Sequence, residues 1–172
     1  MILKVEKTNL EGVLKIFPSV FEDHRGMYVE TFNKEDYIRN NIKIDFVRDD
    51  VSTSGKNVLR GIHYDYKTWK LIHCMHGRIY FVVADMRKDS KQFLQWQSFI
   101  LTSENRHQVL VPPGFGNGHL VLSEYCIFHY KMSEYYDPEN ELSVKWDDPK
   151  LNIFWPVKDP ILSKKDTDTD YL

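Results

Sequence analysis

Cysteine is scarce in this sequence, and long apolar runs are missing. The two cysteines among 172 residues, Cys74 and Cys126, both lie in apolar stretches and suggest no disulfide framework. No stretch approaches the roughly 20 apolar residues that a membrane-spanning helix needs. The N-terminal residues carry charges where a signal peptide would have its apolar core. We therefore expect a cytoplasmic protein that does not enter a membrane.

An excess of either charge is also missing. Lys and Arg together number 23 and Asp and Glu number 25, which gives a formal net charge of −2 at pH 7. This balance gives no electrostatic reason to bind nucleic acid or an anionic membrane. The chain also lacks the glycine-rich loops of dinucleotide and ATP sites and the Gly-x-Ser-x-Gly turn of serine hydrolases. These absences argue against each of those classes.

The chain is rich in short apolar runs, whereas helical periodicity is scarce. One short helix is predicted over Lys34–Asn40, with Asn33 as its N-cap. The run from Gly77 to Arg87 is apolar on both alternating faces, which is typical of a strand buried on both sides. Further strands are predicted at roughly 8–12-residue spacing, over Phe93–Leu101, Gln108–Val111, His119–Leu122 and Tyr125–Tyr130.

Glycine and proline mark the connections between these strands. Pro112–Gly118 predicts one sharply turned segment, and the polar, proline-punctuated tail Pro156–Leu172 is expected to wrap the surface. Regular short strands with such turns are typical of sandwiches and barrels. We predict a single all-β domain over residues 1–172, a jelly-roll β-sandwich or barrel with a few short helices.

Among seven histidines, His63 is the best candidate for chemistry. It follows Gly61, which permits a close approach or a bulge in a strand. Arg60 and Lys70 are two cations in the same span of eleven residues as His63, which suits an anionic substrate with a proton to move. The alternative is a solvated strand end without function. A lone histidine in a strand is more often structural than catalytic.

A jelly roll raises the question of a metal. Metal-binding members of that architecture collect two or three His and one Glu from two motifs. Here His63 and Asp65 lie in the first motif, and Asn117 stands in the second where a ligand His is common. His119 lies two residues further on and can point to the same side by alternation. Because the spacing is wrong, we expect no catalytic metal.

Tyr130 is a candidate acid. By the two-residue period of a strand it shares a face with Cys126 and Phe128, so its ring is predicted to point inward. A buried phenol is usually structural and finds a hydrogen-bond partner. If Tyr130 lies across a cavity from His63, it could instead act as the acid that donates a proton while His63 acts as the base. The residues alone leave both interpretations open.

Many short motifs in order resemble the dTDP-4-dehydrorhamnose 3,5-epimerase family over nearly the whole chain. Several together are specific, although each alone is weak. The matching segments are Phe21-Glu22-Asp23-His24-Arg25-Gly26 with Glu30, Asn57-Val58-Leu59-Arg60-Gly61-Ile62-His63, Lys70-Leu71, Asp85-Met86-Arg87-Lys88-Asp89-Ser90, Pro113-Gly114-Phe115, Leu122-Ser123-Glu124-Tyr125, Tyr130-Lys131, Tyr135-Tyr136, Trp146-Asp147-Asp148-Pro149, Trp155-Pro156 and Leu162-Ser163-Lys164-Lys165-Asp166.

The resemblance implies a cupin-like jelly roll that epimerises the carbons flanking the 4-keto group of a nucleotide-diphospho-sugar, with no metal and no cofactor. It implies that His63 removes the proton alpha to the ketone and that Asp166 holds the imidazole and stabilises its charged form. Lys70 would stabilise the enolate. Tyr130 would return a proton from the opposite face, and Arg60 would contact the substrate.

The resemblance also implies a homodimer with an exchanged N-terminal strand. Arg25, Tyr28 and Glu30 are similar to the residues that dimers of this family supply to the nucleotide end of the neighbouring chain's site. The nucleotide end of each site would therefore be completed by the partner subunit.

Two departures from the family lie near the sugar and the nucleotide. The segment between His63 and Lys70 is about three residues shorter than usual, and Asn117 replaces a second pocket His; Asn117 and His119 are expected to contact the substrate. This combination also resembles the branch acting on GDP-linked 4-keto-heptoses in bacterial capsule synthesis. The sequence does not determine the nucleotide (dTDP, GDP or CDP) or the sugar. Three alternative functions also stay open: a single-carbon epimerase, a sugar 3,4-ketoisomerase and a non-catalytic cupin that binds a nucleotide sugar.

Overall fold

Two antiparallel sheets face each other in the computed structural model, which describes residues 3–172. In spatial order, the six-stranded sheet consists of β1 (Lys4–Lys7), β2 (Leu14–Phe17), β10 (Gln108–Val111), β7 (Lys70–His76), β12 (Tyr125–Met132) and β5 (Arg48–Gly55). The five-stranded sheet consists of β13 (Leu142–Ser143), β6 (Leu59–Tyr64), β11 (Phe115–Val121), β8 (Arg78–Asp85) and β9 (Trp96–Thr102).

Three smaller elements complete the fold. Strands β3 (Val20–Asp23) and β4 (Gly26–Val29) pair only with each other as an antiparallel hairpin. The helices are α1 (Lys34–Arg39) and α2 (Lys164–Asp168). The predicted all-β sandwich with a few short helices is confirmed. Within residues 3–172, no helix is long and apolar enough to cross a bilayer.

The main core lies between the two sheets, because alternate residues of each strand point inward. It joins Ile72 and Phe128 from one sheet to Phe81 and Phe115 from the other. The outer faces of both sheets are covered as well, by the C-terminal segment over the five-stranded sheet and by α1 and the N-terminal segment over the six-stranded one. Strand β8 is consequently buried on both faces, as its continuous apolar sequence predicts.

The early helix and most strands agree with the sequence predictions. The side chain of Asn33 accepts a hydrogen bond from the backbone N–H of Glu35 at 3.1 Å and caps α1. The predicted strand over Phe93–Leu101 is wrong at its start, because the backbone turns at Leu94, where φ is 65°, and pairing with β8 begins at Trp96.

The prediction of one turn over Pro112–Gly118 is also wrong in part. Gly114, with φ of 80°, makes the turn, but β11 begins at Phe115 and not at His119. Gly116 and Gly118 lie within the strand, where an added Cβ would come 2.6 and 2.8 Å from the Ile62 side chain. These glycines therefore permit close packing of β11 on β6.

The C-terminal tail does more than wrap the surface. Ile161 forms a parallel bridge with Val58, next to the start of β6. Helix α2 follows, with Ser163 as its N-cap, and it buries Asp166 to 3% exposure. The tail thereby delivers a carboxylate to the strand that carries His63.

Candidate active site

A cavity of about 650 Å³ lies between the two sheets. Strands β5, β7 and β12 line it from one sheet, and β6 and β11 line it from the other. The segment 134–141 and the tail around Asp166 complete its wall. The sandwich therefore presents polar side chains from opposite directions to one shared cavity.

His63 and Asp166 form a hydrogen-bonded pair in this cavity although they are 103 residues apart. Nε2 of His63 lies 2.7 Å from Oδ1 of Asp166, so the other ring nitrogen, Nδ1, is left for proton transfer. Burial alone raises the pKa of Asp166, but hydrogen bonds from His63 and Ser163 outweigh it, and the pKa is lowered. Asp166 is therefore a carboxylate at neutral pH and serves as the hydrogen-bond acceptor for Nε2 of His63.

Asp166 is itself held in place by the start of α2. Its Oδ2 accepts a hydrogen bond from the hydroxyl of Ser163 at 2.7 Å, and its own backbone N–H donates to that hydroxyl at 3.1 Å. The backbone N–H of Gly61 donates to Oδ1 at 3.4 Å. These bonds fix the carboxylate before any substrate arrives.

Lys70 enters the cavity from the opposite sheet, at the first position of β7. Its Nζ lies 3.4 Å from Oδ1 of Asn117 and 3.5 Å from Oδ2 of Asp65. Burial outweighs the opposing effect of the Asp65 carboxylate, so the pKa of Lys70 is lowered. Asn117 stands opposite His63 in the pairing of β11 with β6. A cation is therefore placed on the His63 side of the cavity.

Tyr130 lies on β12, in the sheet that faces His63. Its ring packs on Phe128 with centroids 5.3 Å apart and points inward, as alternation predicts. Burial raises the pKa of Tyr130, and the negative charge of Asp50 raises it further. The phenol therefore keeps its proton at neutral pH, which an acid must do.

Three further predicted site residues line the same cavity. Arg60 donates to the hydroxyl of Ser54 at 3.0 Å from Nε. His119 is stacked on Phe128 with centroids 4.1 Å apart, and burial lowers its pKa to about 3, so its imidazole is neutral. Asn117 is the third. The cavity thus combines anion-binding, hydrogen-bonding and proton-transfer groups.

Comparison with known proteins identifies the family of this chain. Residues 7–172 match the family described as dTDP-4-dehydrorhamnose 3,5-epimerase. The chain belongs to this family. The enzyme of that name from Methanothermobacter thermautotrophicus is 41% identical over 165 residues, which cover 93% of this chain and 89% of that protein.

Solved structures agree with the assignment. The dTDP-4-dehydrorhamnose 3,5-epimerase of Bacillus anthracis, with TDP and PPi bound, has a TM-score of 0.95 and 40% identity over 99% of both chains. The dTDP-6-deoxy-D-glucose-3,5-epimerase of Legionella pneumophila, in complex with dTDP-4-keto-L-rhamnose, has a TM-score of 0.94 and 36% identity over 98% of this chain and 92% of that one. This member of the 3,5-epimerase family is an isomerase.

The residues predicted for the nucleotide end lie apart from this epimerase cavity. Arg25, Tyr28 and Glu30 are on or beside the β3–β4 hairpin, and none of them lines the cavity of their own chain. Arg25 is instead paired with Asp23 at 2.6 Å, and Tyr28 is 66% exposed. Their predicted role in a partner's site remains a prediction.

Several residues that line the epimerase cavity could not be assigned to it from the sequence. Ser163 had a readable signal, because Ser-x-x-Asp is a helix N-cap pattern whose serine also bonds the buried carboxylate. Arg48, Asp50 and Ser52 alternate along β5 and all line the cavity. Their period of two was visible, but only the fold shows which sheet face they share. Within residues 3–172, no group of three or more His, Cys, Asp or Glu side chains is arranged to hold a metal ion.

Proposed function

We propose that this chain epimerises carbons 3 and 5 of a nucleotide-diphospho-4-keto-sugar, of the dTDP-4-dehydro-6-deoxyglucose type or a GDP-linked 4-keto-heptose, for bacterial surface polysaccharide. One observation carries the proposal: His63 on one sheet, hydrogen-bonded to Asp166 of α2, shares the cavity with Tyr130 and Lys70 from the opposite sheet. Inversion of a carbon needs a proton removed on one face and a proton returned on the other. The predicted location stays the cytoplasm.

Proton removal is assigned to His63. Its Nδ1 takes the proton from the carbon beside the ketone, and the electron pair of the broken C–H bond moves to the ketone oxygen to give an enolate. Asp166 stabilises the imidazolium that forms, through the 2.7 Å hydrogen bond to Nε2. An imidazole is a weak base for such a proton, so the enolate charge must be met by a cation.

The cation is Lys70. Its ammonium lies beside Asn117, which is opposite His63 in the sheet pairing, and so a ketone whose alpha carbon approaches His63 can direct its oxygen to Lys70. A placed charge of this kind stabilises a developing enolate by several kcal/mol in an enclosed site.

Proton return is assigned to Tyr130. Its hydroxyl gives a proton to the carbon on the face away from His63, and the enolate electrons reform the ketone and the new C–H bond. The phenolate then regains a proton from solvent as the imidazolium loses one, which restores both groups. The same exchange at the second flanking carbon completes a 3,5-epimerisation.

The nucleotide end is assigned to a homodimer. The β3–β4 hairpin exposes Phe21, Met27 and Tyr28 to solvent. A group of exposed large apolar side chains is typical of a surface that is covered by a partner. Insertion into a neighbouring subunit would cover these side chains and bring Arg25 to the diphosphate. The Bacillus anthracis relative, whose structure holds TDP and PPi, supports a nucleoside diphosphate as the ligand class.

Solvent deuterium exchange tests the function. The enzyme is incubated in D₂O with dTDP-, GDP- and CDP-linked 4-keto sugars, and the labelled carbons are located by NMR and mass spectrometry. We expect label at both C3 and C5 with one of these nucleotides. Label at one carbon identifies the single-carbon epimerase, and no label with any substrate supports the non-catalytic binder and refutes the proposal.

A further inference from the structure

Asp65 and Lys70 form an ion pair inside the cavity. Oδ2 of Asp65 lies 3.5 Å from Nζ of Lys70, and the two side chains are only 16% and 14% exposed. Water therefore screens this pair far less than it screens an exposed one. The carboxylate is not part of the proton-transfer scheme above.

The position of Asp65 is fixed by the turn that follows it. Its Oδ1 accepts hydrogen bonds from the backbone N–H groups of Lys67 at 2.9 Å and Thr68 at 2.6 Å. Its backbone carbonyl accepts from the N–H of Gly114 at 2.7 Å, which ties the turn to the start of β11. Because one carboxylate oxygen is occupied by the turn, the other is held towards Lys70.

Lys70 needs such a partner to remain charged. Burial lowers the pKa of this lysine overall and Arg48 from β5 lowers it further, whereas Asp65 and, more weakly, Glu141 oppose that fall. Glu141 precedes β13, and both it and Arg48 line the cavity. Asn117 offers Lys70 only a neutral acceptor at 3.4 Å. Asp65 is therefore the carboxylate in contact with this ammonium.

We infer that Asp65 is a positioning residue for the reaction: it keeps Lys70 protonated and holds its ammonium beside Asn117, where it meets the enolate oxygen. The inference rests on the proposed function and adds a residue to it. It also assigns a role to the short segment between His63 and Lys70, because the turn in that segment directs the Asp65 carboxylate to Lys70.

The direct test measures the protonation of Lys70 without any substrate. Competitive acetylation across a pH series, read at the Lys70 peptide by mass spectrometry, gives the pKa of Lys70 in the parent enzyme and in Asp65→Asn. The amide oxygen retains an acceptor for the turn while the charge is lost, so we expect the pKa to fall by about 1 to 3 units. Asp65→Ser, whose hydroxyl can also accept from the turn, must show the same fall, and Asp65→Glu must restore most of it.

The second measurement is the pH profile of deuterium exchange. Its alkaline limb should move to lower pH in Asp65→Asn by the same amount, and Asp147→Asn, an exposed aspartate remote from the cavity, should leave the profile in place. An unchanged Lys70 pKa overturns the inference whatever the exchange shows. A lowered Lys70 pKa with an unmoved exchange profile overturns it too. Absence of exchange in the parent enzyme would instead count against the proposed function, while acetylation still decides whether Asp65 holds Lys70.

Discussion

The cavity and the β3–β4 hairpin differ in how far their side chains are buried and in how those side chains are held. In the cavity, most polar side chains of the two sheets are half-buried and several are held by hydrogen bonds, as His63 is by Asp166 of α2. In the hairpin, every residue of β3 is exposed, and Arg25 finds its partner two residues away in Asp23. One subunit therefore contains the proposed proton-transfer groups, whereas we propose that nucleotide binding requires the hairpin of a second copy.

The largest effect is expected at the base. His63→Asn removes the proton acceptor, and loss of a general base costs about 10²–10⁴-fold in rate. The rate of deuterium exchange measures it, with thermal unfolding as the check that the fold persists. His76→Asn, at the exposed end of β7, is the matched control and should exchange like the parent. Near-parental exchange in His63→Asn would remove this residue from the mechanism.

A smaller effect, on KM rather than kcat, is expected in the hairpin. A hydrogen bond to a charged group contributes about 1.5–3 kcal/mol, so Arg25→Ala should raise KM roughly 10- to 100-fold. In the proposed role Arg25 would contact the diphosphate in ground and transition states alike, so kcat should stay nearly unchanged. Steady-state kinetics measure both constants, and Arg78→Ala is the control for loss of an exposed arginine. A fall in kcat at unchanged KM would refute the nucleotide role.

Mixed dimers sharpen the same comparison. If the hairpin serves the partner's cavity, co-expressed His63→Asn and Arg25→Ala subunits form heterodimers in which one site has both residues intact. Random pairing then gives about a quarter of the parental number of sites. Deuterium exchange, measured at substrate concentrations below the KM of Arg25→Ala, detects these intact sites. No recovery above the two separate variants would show that the hairpin acts within its own chain.

The last effect is on stability at acid pH and leaves catalysis at neutral pH out of the measurement. Burial lowers the pKa of His119 from 6.5 to about 3. Between these two pH values His119 is protonated in the unfolded chain and neutral in the folded chain. The stabilisation is full above pH 6.5 and is lost as pH falls towards 3; by pH 4.5 it has fallen by about 2–3 kcal/mol. Urea unfolding between pH 7 and 4.5 should show a shallower loss in His119→Gln. The control His24→Gln, in the exposed hairpin turn, should keep the parental slope, and equal slopes for both variants would contradict the assignment.

Local patterns in the sequence were enough for much of the fold. The Asn33 cap and the doubly apolar run of β8 depend on neighbouring residues, so they could be predicted directly. Gly116 and Gly118 could not be interpreted correctly, because glycine in a turn and glycine under a packed Ile62 look alike in a sequence. Only the pairing of β11 with β6 separates the two.

The site was less predictable than the fold. Asp166 lies 103 residues from His63, and no local pattern joins them; the family resemblance suggested the pair, and the structure brings it into contact. The Asp65–Lys70 pair was missed because a carboxylate five residues from a lysine in a turn is ordinary. What gives it significance is burial in a cavity, which depends on the whole sandwich.

The configuration of labelled product formed by Tyr130→Phe tests the central claim, that acid and base act from opposite sheets. Phenylalanine keeps the ring against Phe128 but offers no proton. His63 and Lys70 remain, so solvent deuterium should still enter the keto sugar, and the label should return with the original configuration because only the His63 face can supply it. Inverted product at the parental rate would contradict the account and assign the returning proton to another group.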